Sequence, residues 1–148
     1  MNRRISNTDP ADWIETAARD QLHRIFLTTP ARRELSYAAL REQSARFAGA
    51  LMRLGVVQGD RVAVQVDKSV DAVLLYIACL RMGAVFVPIN VANTPSEVEY
   101  FLRDSEARIA IVRPADHALL EAQARRASTS RPTPPCSPRR GILQTATC

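Results

Sequence analysis

The chain has 148 residues, of which 47% are hydrophobic and 24% charged. This composition supports one compact domain and argues against wholesale disorder. The longest apolar run, residues 72–80, is less than half of the 20 or so residues that a membrane-spanning helix requires. The first ten residues also lack the apolar stretch of a secretory signal. We therefore expect a cytoplasmic protein that does not cross a membrane.

The net charge of +5 suggests a nucleic-acid partner, but the distribution of this charge argues against one. Residues 128–148 contain three arginines and no acidic residue, so the first 127 residues carry 17 basic and 15 acidic side chains. Every basic residue except Lys68 is an arginine, a bias typical of a GC-rich genome. We expect no nucleic-acid partner.

Two helices are predicted in the first third of the chain, after an N-terminal extension of residues 1–12. Ala11–Arg24 overlaps the end of that extension and has a loosely apolar side. Tyr37–Leu54 has apolar residues at helical spacing, with Ser36 as its N-cap and Gly55 at its end. The sequence between the two helices is turn-like.

Strands and helices then alternate. The patterns predict strands at 61–66, 85–87 and 109–112, and helices at 70–82, from Pro95 onward and at 115–127. Thr94-Pro95-Ser96-Glu97 is a capping box, which marks a helix start. The helix at 70–82 is apolar nearly all round, so we expect it to be buried on more than one side. This order predicts an α/β fold with a parallel sheet covered by helices.

The composition changes at Ser128. Residues 128–148 contain four prolines and no apolar periodicity, so we expect this tail to lack regular structure. An acid-free sequence rich in proline, arginine, serine and threonine is also what out-of-frame translation of GC-rich DNA gives. We therefore hypothesise a frameshift or truncation near residue 128.

No catalytic, cofactor-binding or metal-binding residue can be assigned from spacing alone. Cys79 lies within an apolar helical pattern and is interpreted as a core residue. His23 and His117 have no partners at metal-ligand spacing and are interpreted as surface or boundary residues. The spacing of a phosphate-binding loop fits none of the five glycines, which are at positions 49, 55, 59, 83 and 141.

A parallel α/β sheet binds ligands beyond the carboxyl ends of its strands, which points to residues 67–69, 89–91 and 113–115. None of these segments makes a recognisable site. We interpret Ser69 as a helix N-cap and Lys68 as a solvated loop residue. Phosphate binding by Lys68 is the alternative.

Two segments resemble core motifs of the adenylate-forming acyl-CoA synthetase superfamily. Leu35–Leu40 resembles the first motif and Leu80–Asn90 resembles the second. With the sequences between and after them, the resemblance covers residues 13–127. It implies that this region is the first part of the large N-terminal domain of an adenylate-forming enzyme. Residues 67–72, together with the acidic and aromatic residues that begin at Glu99, are most similar to malonyl-CoA synthetases.

The resemblance implies an acid–thiol ligase that uses ATP, magnesium and coenzyme A. In that family a carboxylate and ATP form an acyl-adenylate and pyrophosphate, and coenzyme A then displaces AMP. The family's phosphate loop and catalytic lysine follow the region matched here. We therefore expect these 148 residues to bind none of the three cofactors alone and to be inactive alone. The alternative is a non-enzymatic docking half or assembly module, whose partner is the missing remainder of a split synthetase.

Overall fold

The computed structural model describes residues 21–118 and 145–147, together with Thr16 and Arg19. It forms two compact units, one made of Met1–Gly59 and Lys68–Ala84 and the other of Asp60–Asp67 and Val85–Cys148. Within the described residues, no helix combines the length and the apolar character needed to span a bilayer.

The first unit contains a short antiparallel hairpin and two helices. Its elements are β1 (Ile25–Thr28), β2 (Glu34–Ser36), α1 (Tyr37–Arg53) and α2 (Val70–Met82). Ser36 caps α1, because its hydroxyl oxygen accepts the amide of Ala39 at 3.2 Å. Gly83 ends α2 in the left-handed conformation, with a φ of 65° that favours glycine. Both predicted helices are confirmed to within a residue.

The beginning of the chain differs from its prediction. Residues 21–24 form turns and a bend instead of continuing a helix to Arg24, and Thr16 is helical. The other residues of that predicted helix lie outside the described part. The hairpin was not predicted, because Ile25–Thr28 does not alternate between apolar and polar residues and Glu34–Ser36 contains a single apolar residue. Its turn is closed by the amide of Thr29, which donates to the carbonyl of Arg33 at 2.9 Å.

Large aliphatic side chains form the core of the first unit. Leu74 of α2 is fully buried and belongs to a cluster with Leu35 and Leu40, while Phe47 of α1 packs against that cluster. Other residues of α2 outside the cluster are no more than 2% exposed: Leu75, Ala78 and Cys79. The expectation that this helix is buried on more than one side is confirmed.

The second unit contains a four-stranded parallel sheet in the order β4-β3-β5-β6. Its elements are β3 (Arg61–Gln65), β4 (Val85–Pro88), α3 (Pro95–Asp104), β5 (Ile109–Val112) and β6 (Thr145–Thr147). Ala63 in the central strand pairs with Val87 on one side and Ala110 on the other. The predicted parallel sheet is confirmed, as is the capping box at the start of α3.

The last strand corrects one expectation. Thr145–Thr147 pairs in parallel with β5, so the prediction that residues 128–148 lack regular structure is wrong for these three residues. β5 offers an open edge of backbone donors and acceptors, and threonine is β-branched and suited to a strand. The sequence Thr-Ala-Thr contains no β-branched apolar residue, unlike Val-Phe-Val in β4, so it was not recognised as a strand beforehand. A helix starts at residue 114, as predicted to within one residue; residues 119–144 lie outside the described part.

Valine, isoleucine and alanine side chains form the core of the second unit. Val98 of α3 is 1% exposed and packs with Ala63 of β3 and Ala110 of β5. Every residue of β5 is buried, as expected for a strand with no face in water. The helix α3 therefore packs against the sheet through Val98.

Candidate functional site

The strand order places a topological switch point between β3 and β5. The chain leaves β3 towards β4, and it leaves β5 in the opposite direction towards β6. Ligands of open α/β sheets bind in the crevice at such a point, beyond the carboxyl ends of the strands. Polar residues of the second unit gather here: Gln65, Asp67, Asn90, Arg113 and Asp116. We call them the strand-end cluster.

Gln65 holds the segment that follows β4. It is the last residue of β3 and only 3% exposed. Its side-chain amide donates to the carbonyl of Asn90 at 3.1 Å. Asn90 in turn organises its own segment, because its side-chain oxygen accepts the amide of Ala92 at 2.9 Å. The buried amide of Gln65 thus has a hydrogen-bond partner, and the end of β3 holds the segment that follows β4 in place.

Arg113 follows β5 and reaches several partners. Its Nε donates to the Asp116 carboxylate at 2.6 Å, and its Nη2 lies 3.4 Å from the carbonyl of Val91. Its Nη1 lies 3.8 Å from the Asp67 carboxylate, an ion pair beyond hydrogen-bonding distance. Its backbone amide donates to the carbonyl of Gln65 at 3.2 Å. Arg113 and Gln65 therefore link the ends of three adjacent strands.

The carboxylates of this cluster stabilise the charged form of Arg113. The hydrogen bond that Arg113 donates to Asp116 raises the pKa of Arg113 above its ordinary value, and the negative charges of Asp116 and Asp67 act in the same direction. Arg113 therefore stays charged and does not transfer protons. With two carboxylates around one guanidinium, the cluster carries a net negative charge that disfavours a polyphosphate. A phosphate group therefore does not fit these residues.

The residues singled out in the sequence do not converge on a site. Ser69 is the N-cap of α2, with its hydroxyl oxygen accepting the amide of Ala72 at 3.1 Å, as interpreted. Lys68 is exposed and belongs to the first unit, whereas the strand-end cluster belongs to the second. His23 is exposed and His117 is partly buried. Among the described residues, no group of three metal-ligating side chains was found.

Cys79 is a core residue, as interpreted from its place in the helical pattern. It is fully buried, and this burial raises the pKa of its thiol from 9.0 to about 11. A thiol that stays protonated is a poor nucleophile. The other two cysteines lie outside the described residues.

The sequence predicted only part of the strand-end cluster. The segments 89–91 and 113–115 were selected because they follow strands, but the roles of Gln65 and Asp116 were missed. Two signals were available. Gln65 is an amide side chain at the end of an otherwise apolar run, and Asp116 follows Arg113 by three residues, a spacing at which side chains meet when a helix starts. The arrangement contains no nucleophile with an adjacent base, so its geometry suits holding loops in place.

Comparisons with known proteins agree with this architecture. The AMP-binding enzyme family matches residues 14–142, which extends beyond the predicted boundary at residue 127. Crystal structures of MatB from Rhodopseudomonas palustris, apo and with ATP bound, are 31% identical and match 93% of this chain with a TM-score of 0.74. The hypothesis of a frameshift or truncation near residue 128 stays a prediction.

Two curated relatives match a shorter segment. The long-chain-fatty-acid–CoA ligase FadD13 from Mycobacterium tuberculosis is 36% identical over 77 residues, or 52% of this chain. The 3-hydroxybenzoate–CoA/4-hydroxybenzoate–CoA ligase from Thauera aromatica is 39% identical over 79 residues, or 53% of this chain. The matches cover 15% of each of these relatives and 25% of MatB. The chain therefore corresponds to a small part of each protein that it resembles.

Proposed function

This chain belongs to the AMP-binding enzyme family, and from that premise we propose that it supplies part of the N-terminal domain of an AMP-forming acid–thiol ligase. The overall reaction converts ATP, a carboxylate and coenzyme A into an acyl-CoA, AMP and pyrophosphate. The observation that carries the proposal is the likeness to MatB over 93% of the chain, at 31% identity. In this role β4, β3 and β5 form adjacent strands of a parallel sheet, and Gln65 and Arg113 hold its strand ends in place.

We further propose that these 148 residues alone do not form an adenylate. Catalysis of this kind depends on neutralising phosphate charge. The only lysine in the sequence is Lys68, which is exposed, and the glycines have no phosphate-loop spacing. Arg113 is already paired with Asp116. In the reaction, magnesium and later parts of such a ligase would neutralise the phosphate charge.

The proposed acid is malonate, because residues 67–72 and the segment from Glu99 onward are most similar to malonyl-CoA synthetases. The relatives named above support the view that residues outside the shared segment select the acid. FadD13 and the hydroxybenzoate ligase are both more than 35% identical to it, and their names specify chemically different acids. The choice of malonate therefore rests on overall likeness and not on a contact residue.

A pyrophosphate-exchange assay tests the proposed function. The purified 148-residue chain is incubated with ATP, labelled pyrophosphate and malonate, with MatB from R. palustris as the positive control. We expect exchange by MatB and none by the chain. A chimera in which residues 14–142 replace the corresponding part of MatB should regain malonate-dependent AMP formation. Exchange by the chain alone would contradict its inactivity, and a folded but inactive chimera would contradict the scaffold role.

A second candidate function is the docking half of a split synthetase, with a separately encoded remainder as partner. The observation that favours it is an aromatic pair on the surface of α3. Tyr100 is 62% exposed and Phe101 is 40% exposed, and their rings pack edge to face at 5.7 Å. Exposed aromatic side chains are enriched where proteins bind each other.

Sedimentation of the chain tests the docking role. A docking half should be monodisperse alone and should form a one-to-one complex with the part of MatB that this chain does not match. The variant Tyr100→Ser/Phe101→Ser should weaken that complex, whereas Met52→Ser, which alters an exposed side chain of the first unit, should not. Aggregation of the isolated chain, or a complex indifferent to both variants, would count against the docking role.

A further inference from the structure

Arg113 contacts the segments that follow three adjacent strands. Beyond β3 it faces Asp67 at 3.8 Å, and beyond β4 it reaches the carbonyl of Val91 at 3.4 Å. Beyond β5, its Nε is anchored at 2.6 Å by Asp116, in the first turn of the following helix. The guanidinium is planar and presents its donors in a fixed fork, so anchoring one edge determines where the other points.

We propose that Arg113 is a positioning residue, which Asp116 orients so that it fixes residues 89–93 beside the switch point between β3 and β5. The proposal rests on the proposed function in one respect: in the complete ligase this segment would border the crevice where ligands bind. Arg113 acts there through the backbone of the segment and not by touching a substrate.

Two successive carbonyls of this segment are held from two different strands. Gln65 of β3 donates to the carbonyl of Asn90, and Arg113, after β5, donates to that of Val91. Downstream, the amide of Asn93 donates to the carbonyl of Asn90 at 3.1 Å. Loss of the Arg113 side chain would release the carbonyl of Val91 while Asn90 stays fixed. The effect should therefore be confined to the residues just after Asn90.

A matched control lies at the opposite end of the same strands. Arg61, the first residue of β3, pairs with the Glu106 carboxylate at 2.9 Å. Its side chain is 39% exposed, similar to the 32% of Arg113. Arg61→Gln therefore removes an arginine–carboxylate pair of similar exposure from the same sheet, but at the end that is distant along each strand from residues 89–93.

Amide hydrogen exchange, measured by NMR on the 148-residue chain, tests the proposal. In Arg113→Gln and Asp116→Ala, exchange at Ala92 and Asn93 should become about tenfold faster, the size expected for losing one charge-assisted hydrogen bond. Asp116→Asn should stay near wild type, because its amide oxygen still accepts from Nε. Arg61→Gln should leave both amides unchanged. Exchange of β3 amides reports any general destabilisation.

Two outcomes would overturn the positioning role. One is exchange at Ala92 and Asn93 that is unchanged in Arg113→Gln, and the other is an equal increase in Arg61→Gln. Failure of Asp116→Asn to preserve the wild-type rates would also reject the orienting role of Asp116. None of these measurements depends on ligase chemistry. Pyrophosphate exchange by the isolated chain would therefore refute its proposed inactivity without affecting the positioning role.

Discussion

The two compact units are stabilised by different kinds of side chain. In the first, leucine, isoleucine and valine side chains of α1, α2 and β2 pack together, with Leu74 fully buried. In the second, three of the five buried core residues are valine or isoleucine and two are alanine. That unit also carries the polar groups that connect strand ends. The difference indicates that leucine-rich packing stabilises the first unit, while the second combines a core of valine, isoleucine and alanine with directional hydrogen bonds.

The largest expected effect is that of Leu74→Ala. Leu74 is fully buried in the aliphatic cluster of the first unit, so truncation removes buried carbon atoms and leaves a cavity. We expect a loss of about 3 kcal/mol in the free energy of unfolding. Urea denaturation followed by circular dichroism measures it. Met52→Ala, at a residue 64% exposed, is the control and should change the free energy by less than about 0.5 kcal/mol.

Val98→Ala is the corresponding change in the second unit. Val98 is 1% exposed and packs on Ala63 and Ala110 of the sheet. Because fewer atoms are removed than from a leucine, we expect a loss of about 2 kcal/mol. Val85→Ala makes the same chemical change at a residue that is 49% exposed and should cost less. If Val98→Ala destabilised the chain more than Leu74→Ala, the contrast between a leucine-rich core and a core of smaller side chains would be wrong.

Sequence patterns predicted the elements that carry strong local signals. α2 has a capping serine, an apolar body and a terminal glycine, and both of its predicted bounds are confirmed. β5 is an uninterrupted β-branched and apolar run, and its bounds are confirmed as well. The β1–β2 hairpin and β6 escaped prediction, because they are defined by a partner strand and lie outside the alternation of strands and helices that marks β3, β4 and β5.

The strand-end cluster shows a second limit of sequence reasoning. Gln65, Asn90 and Arg113 are separated in sequence by more than 20 residues at each step, and parallel register brings them together. Periodicity identifies which strand each residue follows. It does not determine which strands are neighbours, and that order decides which side chains meet.

The smallest expected effect is that of Glu97→Gln, which tests whether directional hydrogen bonds stabilise the second unit. The Glu97 carboxylate accepts the amide of Thr94 at 2.7 Å and its hydroxyl at 2.8 Å, and these contacts lower the pKa of Glu97 below 4.5. A lowered pKa in the folded state contributes stability above pH 4.5, which is lost as the pH falls through the folded value. The urea midpoint of the wild type should therefore be higher than that of Glu97→Gln at pH 7, and this difference should disappear towards pH 3.

The control is Glu99→Gln, which removes the same charge from α3 but leaves the Thr94 contacts intact. The difference between wild type and this variant should not depend on pH in that way. Equal behaviour of the two variants would mean that charge on the helix, and not the capping hydrogen bonds, produces the effect.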